Sequence, residues 1–87
     1  MRWQIIFETT AAKKFAKLDK KIQQRIGVEI DRIIQSDNPR KFGKALSGNL
    51  SGLWRYRVGD YRIVCKIEDS TLIIVVVRVA NRKDVYR

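Results

Sequence analysis

The sequence has no histidine, one cysteine (Cys65), one proline (Pro39) and few acids, with 9 Asp and Glu against 19 Lys and Arg in 87 residues and a formal charge of +10. Each shortage excludes something. Without imidazole and with a single thiol, the chain cannot assemble a Cys/His zinc site, a Cys–His nucleophile pair or a triad whose base is histidine. The same count excludes a disulfide framework. Long apolar runs are missing at the front, where Ile5-Ile6-Phe7 is flanked by Gln4 and Glu8, so a cytoplasmic protein without membrane contact is expected. What remains is ordinary globular composition, 45% apolar and 32% charged, which reads as one domain over residues 1–87. A chain this short buries only about 60–65% of its surface. With so much unbalanced positive charge, the expected partners are polyanions or an acidic protein.

The run from Arg2 to Phe7 is β-branched and aromatic and reads as a strand. Thr9 and Thr10 are good N-cap residues for a short helix ending near Leu18, and Asp19 can cap a second. In that second helix Ile22, Ile26, Ile30, Ile33 and Ile34 fall on one stripe of helical period. Pro39 biases Asn38 away from helical geometry, so the helix is expected over about Lys20 to Ser36. A loop from Arg40 to about Gly52 then leads to three strand-like runs, Leu53–Val58, Tyr61–Glu68 and Thr71–Ala80. Gly59-Asp60 suits a two-residue type II′ turn between the first two. Leu72 to Val77 is apolar on both faces, as in a central strand. The order β-α-α-β-β-β predicts an α+β fold, a helical hairpin packed on one face of a mostly antiparallel four-stranded sheet.

Between Arg40 and Lys66 the chain holds seven basic residues and one acid, Asp60. If Val58 pairs with Tyr61, then Arg57 lies opposite Arg62 and Arg55 opposite Val64. Trp54, Tyr56, Val58, Tyr61, Ile63 and Cys65 then share the core side, and Arg55, Arg57, Arg62 and Lys66 share the other. Opposed like charges cost about 0.2–1 kcal/mol, so folding alone gives no reason for this arrangement. One explanation is a solvated sheet face; the other, which we favour, is a phosphate site, because guanidinium forks match phosphate oxygens and stay charged at any working pH. Lys41 and Lys44 on the preceding loop suit diffuse backbone contacts or simple solvation. Arg82, just past the last strand, is placed to reach the face of Arg62. Tyr86 offers a ring for stacking or a phenol for proton transfer, or else an aromatic lid on the sheet.

The motif Leu53-Trp54-Arg55-Tyr56-Arg57-Val58-Gly59-Asp60-Tyr61-Arg62-Ile63-Val64, followed by an apolar strand and by Val79-Ala80-Asn81-Arg82-Lys83-Asp84-Val85-Tyr86, resembles the RelE/ParE superfamily of toxin–antitoxin toxins. The resemblance covers essentially the whole chain. It implies, for the RelE-like branch, a ribonuclease that enters the ribosomal A site and cuts the bound messenger without a cofactor, and, for the ParE-like branch, a DNA gyrase inhibitor that cuts nothing. The nuclease branch places its catalytic residues at positions matching Arg55, Arg57, Arg62, Arg82 and Tyr86. From their charge and position, Lys41, Lys44 and Lys66 are expected to bind RNA beside them. Its implied partners are a cognate antitoxin, the ribosome and mRNA. The two positions on the first hairpin strand are lysines in familiar nuclease members and arginines here, and arginine is a poor proton acceptor.

Overall fold

A computed structural model of the chain describes residues 3–81. The first apolar run forms β1 (Gln4–Phe7), with Ile5 and Phe7 packed against the core. Helix α1 (Thr9–Ala16) follows, but its cap differs from expectation. Thr9 and Thr10 stand inside the first turn, and Glu8, with extended backbone, occupies the cap position without a side-chain cap bond. Asp19 does precede α2 (Lys20–Ile34), again without a side-chain cap bond. On α2 the isoleucine stripe faces inward, with Ile26, Ile33 and Ile34 buried and Ile22 and Ile30 partly buried against them. Gln23 joins the two helices: its Nε2 donates to the carbonyls of Phe15 at 3.0 Å and Leu18 at 3.1 Å, and the Phe15 carbonyl also accepts the Leu18 N–H at 3.1 Å. The second helix stops two residues before Ser36, because the following side chains build a new turn. Asn38 N–H donates to Ser36 Oγ, and Arg40 N–H donates to Asn38 Oδ1 at 3.1 Å, which opens a 3-10 turn at Pro39–Phe42.

The stretch expected as loop contains β2 (Lys44–Ala45) and a second 3-10 turn (Gly48–Leu50). After it come β3 (Trp54–Val58), β4 (Tyr61–Glu68) and β5 (Ile73–Asn81). The sheet therefore has five strands and not four, in the order β1-β5-β4-β3-β2. The extra strand is a two-residue pairing of Lys44 and Ala45 with Arg55 and Trp54, too short for any periodicity to reveal. β1 runs parallel to β5, and the remaining neighbours are antiparallel. The α+β class and the mostly antiparallel sheet thus agree with the sequence reading. β5 starts at Ile73 rather than Thr71 because Leu72 takes a left-handed φ of +56°, which a non-glycine residue adopts only when held there. Its N–H donates to the Asp69 carbonyl at 3.3 Å, and its carbonyl accepts the Gln4 N–H at 2.9 Å.

The core lies between the sheet and the two helices, and Ile74 and Val76 of β5 sit fully buried at its centre. Two titratable groups share that interior. Tyr56 donates its hydroxyl to the Pro39 carbonyl at 2.8 Å, and burial pushes its phenol upward. Burial likewise pushes the Cys65 thiol up from 9.0 to about 12. Both groups are neutral in the fold, so the folded state binds more protons than the unfolded chain once pH exceeds the unfolded values. Stability is then full below about pH 9 and falls as pH rises above it. Chemical denaturation midpoints measured from pH 7 to 11 are expected to be level up to about pH 9 and then to decline. Cys65→Ala is expected to move the onset upward toward the ordinary tyrosine range, and an unchanged onset would exclude the thiol as its source. No helix among the described residues is long and apolar enough to cross a membrane.

Candidate functional site

Gly59 sets the geometry of the β3–β4 hairpin. Its φ is +59° while Asp60 keeps a negative φ, the sign pattern of a type II′ turn. The register is the one expected from the sequence: Val58 opposite Tyr61, Arg57 opposite Arg62, Tyr56 opposite Ile63, Arg55 opposite Val64 and Trp54 opposite Cys65. Tyr56, Val58, Ile63 and Cys65 enter the core, and Arg55 and Arg62 stand on the outer face.

On that face Arg55 and Arg62 line a groove of about 240 Å³ with Arg78, and Leu46, Leu50, Leu53, Val64 and Val77 complete its walls. The leucines come from the segment around the second 3-10 turn, which folds back over the sheet. They explain why Arg62 is only 9% exposed, unlike a residue on a solvated sheet face. Arg55 is half-buried, and its Nε is enclosed without a hydrogen-bond partner. No carboxylate lines the groove among the described residues. Guanidiniums held between apolar walls act through a lower effective dielectric than in water, so an anion entering here is bound more strongly than at an open surface.

Arg78 was not singled out by the sequence, and the reason is a β-bulge. Ile74 and Val76 face the core, so strict alternation sends residue 78 inward as well. Between Val64/Cys65 and β5 the register slips, with Val64 opposite Arg78 but Cys65 opposite Val76. Val77 is the extra residue, and it returns Val79 to the core while turning Arg78 outward. The available signal was an arginine in core phase within an otherwise apolar run. Beyond the bulge, Ala80 lies opposite Arg62, a small residue beside a large one.

Other expected site residues are not gathered in the groove. Arg57 is exposed and lines a separate cleft against α2, because β2 reaches only Trp54 and Arg55 and leaves β3 an open edge at that point. Lys66, past the bulge, is exposed and lies 3.7 Å from the Glu68 carboxylate. Lys44 stands opposite Arg55 across β2 and β3, and Lys41 places its Nζ 5.2 Å from the Phe42 ring centroid. Arg40 belongs to the scaffold: its guanidinium grips Asp69 through two bonds of 2.8 Å and lies 5.9 Å from the centre of the Trp54 ring. The hydrogen bond from Arg40 holds the Asp69 carboxyl below its ordinary value. Arg82 and Tyr86 lie outside the described residues. No group of three or more Cys, Asp and Glu among the described residues is placed to hold a metal ion.

Gly43 fixes where Arg55 sits. A Cβ there would collide with the Arg55 carbonyl oxygen and come within 2.8 Å of Trp54 Nε1, so β2 can approach β3 this closely only with glycine at the position. Gly43→Ala is expected to destabilise the fold by about 1–3 kcal/mol and to displace Arg55. Denaturation midpoints check the first effect, and a wild-type midpoint would show that the strand edge absorbs the methyl group.

The family model described as the ParE toxin of type II toxin–antitoxin systems (parDE) matches residues 5–86. The chain belongs to the RelE/ParE superfamily of toxins. It is 34% identical over 87 residues to the toxin RelG of Mycobacterium tuberculosis, covering 100% of this chain and 99% of RelG. With the toxin RelE of the same organism it shares 33% identity over 85 residues, covering 98% of this chain and 87% of that protein. Among solved structures, a chain of the toxin–antitoxin complex RelBE2 from M. tuberculosis superposes with a TM-score of 0.79 at 32% identity, covering 94% of this chain and 100% of that one. This protein is accordingly a toxin of a RelBE-type toxin–antitoxin system. The RelE/ParE resemblance read from the hairpin and the chain end is thereby established.

Proposed function

We propose that this toxin, acting as one domain over residues 1–87, is a ribosome-dependent endoribonuclease that cuts messenger RNA in the A site and so stops translation. The observation that carries the reading is the groove in which Arg55, Arg62 and Arg78 converge between apolar walls with no carboxylate among its lining residues. In the reaction the 2′-OH attacks the adjacent phosphorus in line, the bond from phosphorus to the 5′-oxygen breaks, and the products carry a 2′,3′-cyclic phosphate and a 5′-OH. One proton leaves the 2′-oxygen and one reaches the leaving oxygen, and negative charge builds on the phosphoryl oxygens between those events. Arg55, Arg62 and Arg78 stabilise that charge, joined by Arg82, which follows β5 in the sequence. Guanidinium does not accept the proton, so Tyr86 takes the proton-transfer role. Lys41, Lys44 and Lys66 contact RNA backbone at the rim, and the ribosome positions the codon.

The partner that restrains this activity is a cognate antitoxin, as in the RelBE2 complex of the mycobacterial relative. An acidic or amphipathic segment suits a chain of +10, and its association is steered by charge and weakened by salt. Ile6 stands 47% exposed on β1 as one apolar contact for it.

The match to a ParE toxin family model keeps gyrase inhibition as the second reading. Pulse labelling minutes after induction separates the two. The nuclease predicts collapse of amino-acid incorporation while DNA synthesis continues at first. Lost DNA synthesis with intact translation would assign the protein to the gyrase branch.

A further inference from the structure

Lys21 and Arg25 lie four residues apart on α2 and therefore share one face. That face looks across a cleft of about 560 Å³ at Arg57, Val58 and Gly59 of the β3–β4 hairpin. The Arg25 guanidinium reaches the hairpin turn, about 3.1 Å from where a Cβ on Gly59 would sit. Glu29, one turn further along α2 and also on the cleft, is spaced to neutralise Arg25. Its carboxylate bonds Arg32 instead. Lys21, Arg25 and Arg57 form no ion pair among the described residues, and all three are exposed.

Like charges four residues apart on a helix are mildly destabilising, and Arg57 opposite Arg62 adds a second unfavourable pair. The position of Arg57 also joins two basic surfaces. It is the cross-strand neighbour of Arg62, which lines the groove, and it lines the α2 cleft itself. Positive charge thus continues from the groove, around the open edge of β3, to α2. A continuous track of this kind fits a linear polyanion with regularly spaced charges better than a single acidic side chain.

We propose that the cleft between α2 and the β3–β4 hairpin is a second RNA-backbone site, in which Lys21, Arg25 and Arg57 hold phosphates of the strand outside the groove. The inference rests on the ribonuclease reading for the identity of the polyanion. Its role is anchoring, separate from the chemistry.

The test uses the full-length toxin and reads binding, with cleavage as a separate measurement. Lys21→Gln and Arg25→Gln are compared with the parent for affinity to vacant ribosomes and to a single-stranded RNA oligonucleotide across a salt series. Each phosphate contact contributes about 0.9 to the slope of log affinity against log salt on duplex and about 0.7 on single strands. Each variant is expected to lower the slope by roughly that amount and the pair by roughly 1.5, with weaker affinity at about 0.1 M salt. Loss on ribosomes alone assigns the cleft to ribosomal RNA, and loss on the oligonucleotide alone assigns it to the messenger; either supports the site. Unchanged slopes on both RNAs overturn it. So does weakened antitoxin binding with RNA binding intact, which gives the cleft to the protein partner. Because Arg25 packs on the hairpin, melting curves accompany both variants, and Lys21, exposed and without such a contact, decides the matter if Arg25→Gln unfolds. A parent that binds RNA with a steep salt slope but never cuts it would refute the ribonuclease reading and leave this one standing.

Discussion

Tyr86→Phe is expected to slow single-turnover cleavage on programmed ribosomes by about 10²–10⁴-fold, the usual contribution of one general acid or base. Among its described residues the groove offers no group for that role. Its polar lining among the described residues consists of Arg55, Arg62 and Arg78, and guanidinium, with a pKa above about 12, neither accepts nor readily releases a proton near neutrality. The sequence has no histidine. Tyr56 is buried, donates to the Pro39 carbonyl and has its phenol pushed upward by burial, the opposite of what proton transfer requires. Neighbouring cations would instead lower a phenol pKa, and Tyr86 follows the strand that ends beside Arg62. Phenylalanine keeps the ring and removes only the hydroxyl, so a rate within about 10-fold of the parent would move Tyr86 from proton transfer to base stacking.

The second large effect belongs to Arg62. Arg62→Ala is expected to reduce cleavage by about 10²–10³-fold, the cost of removing one preorganised donor at a charged transition state, and to abolish growth inhibition. Arg62 is the least exposed of the groove arginines and faces small Ala80 across the strand. Its position is therefore set by packing before any ligand arrives. Arg62→Lys distinguishes charge from geometry. A lysine keeps the positive charge but not the planar fork, and a rate between those of parent and alanine variant is expected. Full toxicity of Arg62→Ala at matched soluble expression would remove the residue from the site.

The hairpin register was readable from the sequence because Gly59-Asp60 admits few two-residue turns, and once Val58 meets Tyr61 every other pair follows. The isoleucine stripe of α2 was readable because a helix has one period and the side chains keep to it. Arg78 escaped because a bulge changes the phase of a strand without changing its composition. Arg57 left the predicted cluster because β2 pairs over two residues and ends before reaching it. Arg40 belongs by sequence to the basic stretch before the hairpin, and only the fold brings Asp69 to it across 29 residues of sequence. In each of these cases the missing information is a contact between distant segments, whereas the features that were readable depend on local geometry.

We propose that this chain cuts ribosome-bound messenger. Primer extension on messenger RNA from cells briefly expressing the toxin tests it most directly. New 5′ ends in phase with the codons of translated messages are expected, absent from untranslated regions and lost with Arg62→Ala. Intact messenger under full growth inhibition would contradict it.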